Sequence, residues 1–288
     1  MALFEMIQYH AYTYPDDIPL KMKEIPAHFD VAGIAIDGPC SLHTEYSYGK
    51  RALDSKVIEK FPVLLESHKN RVPQLWKSKE WAVSFAEFIF ELVPQVDLLK
   101  IIEIHPPFSD YTDIGCFLDT YEVFEQIVLS RYPKTEIIIE NRCGSTYRGG
   151  RFIVSKQRDM EKLCEIVEEK GLKLRVALDI PQLYTAEKVK KDEEYFEILD
   201  NLKQIKSYVK SIHLWGKKKS KNGRTVAHIG DLNSYFNGNL LIKDAFLKEF
   251  LQCFTDEIVR KMVLEVNSNN ADLISIIQDL KQFGAEFI

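Results

Sequence analysis

Four apolar runs in the second half of the chain end on a residue that can bind a cation. Ile137-Ile138-Ile139 is followed by Glu140 and Asn141, Val176-Ala177-Leu178 by Asp179, Val209-Lys210-Ser211-Ile212 by His213, and Met262-Val263-Leu264 by Glu265. Ile101-Ile102-Glu103-Ile104 likewise delivers His105, ahead of Pro106-Pro107. Taken singly, such a residue is ordinarily a helix cap, a solvent-facing carboxylate or a hydrogen-bonded core imidazole. Recurrence on successive runs makes separate structural roles a poor account. Carboxylates gathered out of water repel one another and resist ionisation. A divalent cation removes both difficulties, and mixed oxygen and imidazole donors suit Zn²⁺, Mn²⁺ or Co²⁺.

Strands must deliver these residues to one place. From residue 100 onward, short apolar runs (Lys100–Ile104, Glu136–Ile139, Leu174–Leu178, Ser211–Leu214, Met262–Leu264) alternate with segments of helical period. Those segments are Phe117–Arg131, Ser155–Glu169, Asp192–Val209, Ile242–Phe254 and Ala271–Phe283, with Gly171 and Gly284 placed to end two of them. Such alternation predicts a parallel sheet, and 288 residues suit one (β/α)₈ TIM-type barrel, residues 1–288, as a single domain. In a barrel the C-terminal strand ends meet at one mouth, which is where the polar residues fall. The first hundred residues are less regular. Phe4–Tyr9 and Val31–Ile36 read as strands, Ser78–Leu92 as a helix capped by its serine, and Ser41–Tyr46 as a strand or the loop after one. Ala285–Ile288 reads as a last short strand or a tail.

Composition narrows the function classes. Net charge is −5, whereas a duplex-DNA binder ordinarily carries a basic balance. Five cysteines without CxxC spacing argue against a disulfide framework and for a reducing compartment. The opening Met1-Ala2-Leu3-Phe4-Glu5 lacks signal-peptide character, and no run reaches the roughly 18 apolar residues of a membrane span. The expectation is a cytoplasmic protein with no membrane partner. Walker, dinucleotide-binding and nucleophile-elbow motifs are absent from the sequence.

The strand-end pattern resembles the xylose-isomerase-like TIM barrel superfamily, which holds sugar isomerases and epimerases together with the endonuclease IV nucleases (AP endonuclease family 2). The resemblance runs from about Glu103 to Glu265. Ile139-Glu140-Asn141 is similar to its strand-end Glu-Asn, Asp179-Ile180-Pro181-Gln182 to its Asp-x-x-His, Ile212-His213-Leu214 to the next ligand and Leu264-Glu265 to the last. It implies a metal centre of Glu140, Asp179, His213 and Glu265. His105 resembles a histidine that holds a second metal in the nuclease branch, and His43 in Leu42-His43-Thr44-Glu45-Tyr46 echoes that metal's other histidine. The chain departs from the nuclease pattern at a third metal. Gln182 stands where a histidine is needed, and Val226 with His228 replaces an Asp-x-His pair.

In the isomerase branch two metal-bound glutamates exchange a substrate proton as acid and base. The resemblance therefore implies Glu140 and Glu265 as catalytic residues of an isomerase or epimerase, or a lyase, acting on a small sugar, polyol or sugar phosphate. The cofactor is a divalent ion, Zn²⁺, Mn²⁺, Co²⁺ or Mg²⁺. The alternative is an endonuclease IV-like phosphodiesterase acting on abasic DNA, with nucleic acid as the partner. The run Trp215-Gly216-Lys217-Lys218-Lys219-Ser220-Lys221-Asn222-Gly223-Arg224 has two readings, a solvated charge run or an anion-binding lid. Asn222-Gly223-Arg224 with His228-Ile229-Gly230 resembles a substrate-holding stretch of the superfamily, so Arg224 and His228 are expected to contact substrate, with Lys217 of the basic run and Gln182 of Asp-x-x-Gln as further substrate-binding candidates. Trp215 either stacks on a sugar ring or belongs to the core. Tyr184 is a further candidate for substrate contact, and Arg142 and Arg148, with Gly149-Gly150, would add positive charge beyond Glu140.

Overall fold

The computed structural model describes residues 1–30, 34–47, 54–144, 150–220 and 222–288. Its strands are β1 (Ala2–Gln8), β2 (Leu20–Ala27), β3 (Cys40–Thr44), β4 (His68–Lys69), β5 (Val72–Pro73), β6 (Leu99–Ile104), β7 (Glu136–Glu140), β8 (Arg175–Asp179), β9 (Val209–Leu214), β10 (Lys217–Lys219), β11 (Thr225–Ala227), β12 (Arg260–Leu264) and β13 (Ala285–Phe287). The helices are α1 (Ser55–Lys60), α2 (Pro62–Glu66), α3 (Lys79–Leu92), α4 (Ile114–Arg131), α5 (Gln157–Lys170), α6 (Ile180–Glu187), α7 (Asp192–Leu202), α8 (Leu232–Tyr235), α9 (Leu240–Cys253) and α10 (Asn270–Gln282). Strand order in the main sheet is β12-β9-β8-β7-β6-β3-β2-β1-β13, and β12 also pairs with β1. Eight parallel strands thereby close on themselves with helices between them, which is a (β/α)₈ barrel. Among the described residues, no helix is long and apolar enough to cross a membrane.

The described chain divides into two compact units, Met1–Lys23 with Leu178–Ile288, and Glu24–Ala177. The divisions fall inside β2 and β8. In the unit Glu24–Ala177, β6 and β7 are aliphatic on both faces because helices cover them. Leu99, Ile101, Ile102, Ile104, Ile137, Ile138 and Ile139 are all buried. Behind them α3 and α4 contribute an aromatic core in which Trp76 meets Trp81, Phe85, Phe117 and Phe124 with ring centroids 5.1–5.5 Å apart. Ser78 caps α3 by accepting the Trp81 N–H at 3.2 Å, the role its position predicts.

In the other unit, β12 pairs with both β1 and β9, and β13 lies parallel to the start of β1. The aromatic side chains Tyr184, Tyr195, Phe236, Phe246 and Phe250 pack α6, α7 and α9 together. Arg260 opens β12 fully buried. It is neutralised by both oxygens of Asp256, at 2.7 and 2.8 Å, and donates to the Val209 and Lys206 carbonyls.

Two readings of the sequence differ from this structure. The strand expected at Val31–Ile36 lies partly outside the described residues, and Ile34–Ile36 is irregular. The strand that occupies this part of the barrel is β2, whose exposed Lys21 and Lys23 hide it from an apolar-run search. The helix expected to reach Val209 stops at Leu202, because Val209 already pairs in β9 and must be extended. Gly171, at φ 65°, ends α5 as expected.

Candidate metal centre

Unit Glu24–Ala177 gathers one donor cluster at its strand ends. His43 (β3), Glu103 (β6), His105 (just past β6) and Glu140 (the end of β7) offer ligand atoms that lie within 4.8 Å of one another. The backbone around them is stitched tightly. Thr44 Oγ1 donates to the Glu103 carbonyl at 2.7 Å, and Trp76 Nε1 donates to the His105 carbonyl at 2.8 Å. Glu45 turns its carboxylate away, to the N–H groups of Phe29 and Tyr46, each at 3.0 Å. Beyond the strands, Ser109 N–H donates to Arg151 O, Ile153 N–H to Pro107 O and Arg142 N–H to Val154 O, fastening the loops after β6 and β7 to each other.

The surroundings of the two histidines push their pKa values in opposite directions. His105 is fully buried, and burial drives its pKa down to about 4 despite the neighbouring Glu140. Its Nδ1 lies 3.3 Å from the Glu45 carbonyl and its Nε2 2.9 Å from Glu140 Oε2. That arrangement, with a second imidazole and a second carboxylate alongside, fits a divalent cation. Burial also opposes charge on His43, but the carboxylates of Glu24 (3.2 Å), Glu103 (3.5 Å) and Glu140 outweigh it and lift the pKa to about 10, so His43 would ligate a cation only by giving up that proton. Arg142 Nη1 donates to Glu140 Oε2 at 3.0 Å, and its guanidinium lies 5.0 Å over the Tyr46 ring.

Unit Met1–Lys23 with Leu178–Ile288 gathers a second cluster. Asp179, His213 and Glu265, all buried, also bring ligand atoms within 4.8 Å of one another. Asp179 ends β8 and caps α6, so its Oδ1 accepts the Gln182 backbone N–H at 2.8 Å. Its Oδ2 accepts the Trp215 indole N–H, also at 2.8 Å. Glu265 lies between two imidazoles, with His213 Nδ1 3.4 Å from Oε1 and His228 Nδ1 3.2 Å from Oε2. Burial would raise its pKa, but the two histidines hold the carboxyl well below the ordinary range.

The residues expected at the substrate side fall into three positions. Gln182 is buried, its backbone serving Asp179. Trp215 is buried with its ring 4.3 Å from that of His228, and Tyr184 is buried with its hydroxyl donating to the Tyr195 carbonyl. The lysine run is a hairpin, β10 pairing antiparallel with β11. Lys217 Nζ sits 3.9 Å over the Tyr235 ring, and burial lowers its pKa, while Arg224 is exposed at the turn. Lys221, Arg148 and Gly149 lie outside the described residues.

Two acidic partners of His43 escaped the sequence reading. Glu103 had a visible signal, a carboxylate inside the apolar run Ile101–Ile104. Glu24 had none, because its strand was not recognisable.

No protein-family model and no curated protein matches the chain. Among solved structures, AsfvAP:AG is similar at 10% identity and a TM-score of 0.57, over 98% of this chain and 99% of that one. SacUVDE aligns with 85% of this chain and 65% of its own length, at 14% identity and a TM-score of 0.44. Protein SMc04130 from Sinorhizobium meliloti 1021 aligns at 9% identity and a TM-score of 0.40, covering 86% and 79%. At such identities the first likeness establishes a shared fold along the whole chain, and fold leaves the activity open.

Proposed function

We propose that this chain is a divalent-metal-dependent phosphodiesterase with more than one ion, acting on a nucleic-acid backbone at a damaged or abasic site. The observation that carries the reading is the cluster of His43, Glu103, His105 and Glu140, built in addition to Asp179, His213 and Glu265. Paired metal sites are a recurrent solution for displacement at phosphorus. His43, His105 and Glu140 would hold one ion. Asp179, His213 and Glu265 would hold the other. When bound, such ions supply Lewis acidity and charge neutralisation at a phosphoryl group.

The chain's own groups supply the rest. Arg142, oriented by Glu140 and Tyr46, offers a guanidinium suited to a phosphate oxygen. The β10–β11 hairpin presents Lys219 and Arg224 to solvent, where they suit a polyanion despite the net charge of −5. The reaction is hydrolysis: water bonds to phosphorus, the P–O bond to the sugar oxygen breaks, and that oxygen leaves with a proton.

A second reading is a metal-dependent isomerase or epimerase of a small sugar, polyol or sugar phosphate, using Glu140 and Glu265. The acidic balance of the chain favours it. Elemental analysis together with incubation on abasic-site duplex decides between the two. Two or more equivalents of metal with strand nicking support the phosphodiesterase; one equivalent without nicking overturns it.

A further inference from the structure

Trp215 and His228 bracket the lysine-rich hairpin, one immediately before Gly216 and β10, the other immediately after β11. Each touches a different carboxylate of the second cluster. The Trp215 indole N–H reaches Asp179 Oδ2 at 2.8 Å, and His228 Nδ1 lies 3.2 Å from Glu265 Oε2. The two rings pack on each other with centroids 4.3 Å apart and planes 31° apart. His228 is held at φ 59°, and its carbonyl accepts the Asn267 N–H at 2.6 Å. The hairpin is itself anchored by Lys218 Nζ on Asp272 at 3.2 Å and by Lys217 over Tyr235.

From this geometry we infer that Trp215 and His228 are positioning residues. Together they fix the rotamers of Asp179 and Glu265 for cation binding and join the basic hairpin mechanically to the metal centre. The physical argument is that a carboxylate presents a defined lone pair to a metal only when its other contacts fix its rotation. Asp179 has one oxygen committed to the Gln182 N–H and the other to the indole, so its plane is fixed from two sides. The two ends of the hairpin carry the indole and the imidazole that contact these carboxylates. This inference rests on the metal reading above and adds to it the residues that set the geometry.

The test measures Zn²⁺ affinity by chelator competition, independently of any hydrolysis. Trp215→Phe keeps a ring but loses the donor, and should bind Zn²⁺ about ten-fold or more weakly. The metal-stripped variant should melt within a few degrees of the metal-stripped wild type. His228→Leu should weaken binding similarly, and His228→Gln, which retains an N–H donor, should recover most of it. Binding by Trp215→Phe within two-fold of wild type overturns the inference while leaving the metal reading intact. If Trp215→Phe does not fold, equal affinities for His228→Leu and His228→Gln overturn it instead. A wild-type protein that binds no Zn²⁺ overturns the metal reading and this inference together.

Discussion

Gly216 packs face to face against Gly230. A β-carbon at Gly216 would overlap the Gly230 carbonyl and come within 2.6 Å of the Asp231 oxygen. Gly230 adopts φ +87°, and a β-carbon there would run into Ser234 Oγ and the Lys218 side chain. The base of the basic hairpin is therefore closed by two residues that have no side chain. Gly216→Ala should cost about 1–3 kcal/mol through overpacking. It should also displace His228 from Glu265, so thermal melting and Zn²⁺ affinity fall together. A variant with wild-type affinity would show that the hairpin base does not set the ligand geometry.

Removing metal should lower stability. A ligand that binds only the folded state adds about 2.7 kcal/mol at a hundred-fold excess over its Kd. Dialysis against a chelator should therefore drop the melting temperature by several degrees, and Zn²⁺ or Mn²⁺ should restore it. No change in either direction would remove the basis for a resident ion.

The two histidines beside Glu140 should matter for stoichiometry. His105→Ala and His43→Ala each delete an imidazole from a cluster with only two. Elemental analysis should find about one metal equivalent fewer than in wild type. Glu140→Gln should reduce nicking of abasic duplex by at least about a hundred-fold, in line with the loss of a metal ligand, with an unchanged circular dichroism spectrum. Undiminished turnover would rule Glu140 out of the chemistry.

Asp256 offers a pH prediction away from the site. The Arg260 guanidinium holds its carboxyl below the ordinary value of 3.8. The folded pKa is depressed, so the stabilisation is complete above the unfolded value and is lost as pH falls through the folded one. Asp256→Asn should destabilise the protein by about 3 kcal/mol at neutral pH, because Arg260 is left buried without a counter-charge. Its acid unfolding limb should be flatter than that of wild type below about pH 4. Identical limbs would mean that the pair contributes nothing.

What could be read in advance followed burial. Strands β6, β7, β8, β9 and β12 are covered on both faces, so their aliphatic runs stand out, and the residue ending each run is the one at the barrel mouth. β2 buries only Met22 and Ala27 fully, so its sequence looks like a loop, and Glu24 disappeared with it. Trp215 was visible only as an aromatic near the mouth. That its N–H meets Asp179 depends on a contact across 36 residues, which no local pattern encodes.

Of the three tryptophans in the chain, two direct their indole N–H at a candidate ligand residue: Trp76 to the His105 carbonyl and Trp215 to the Asp179 carboxylate. Each compact unit thus carries an intrinsic fluorophore wired to its own donor cluster. Ion loading of either cluster should be distinguishable from emission alone, with Trp76→Phe and Trp215→Phe separating the two signals and no attached dye.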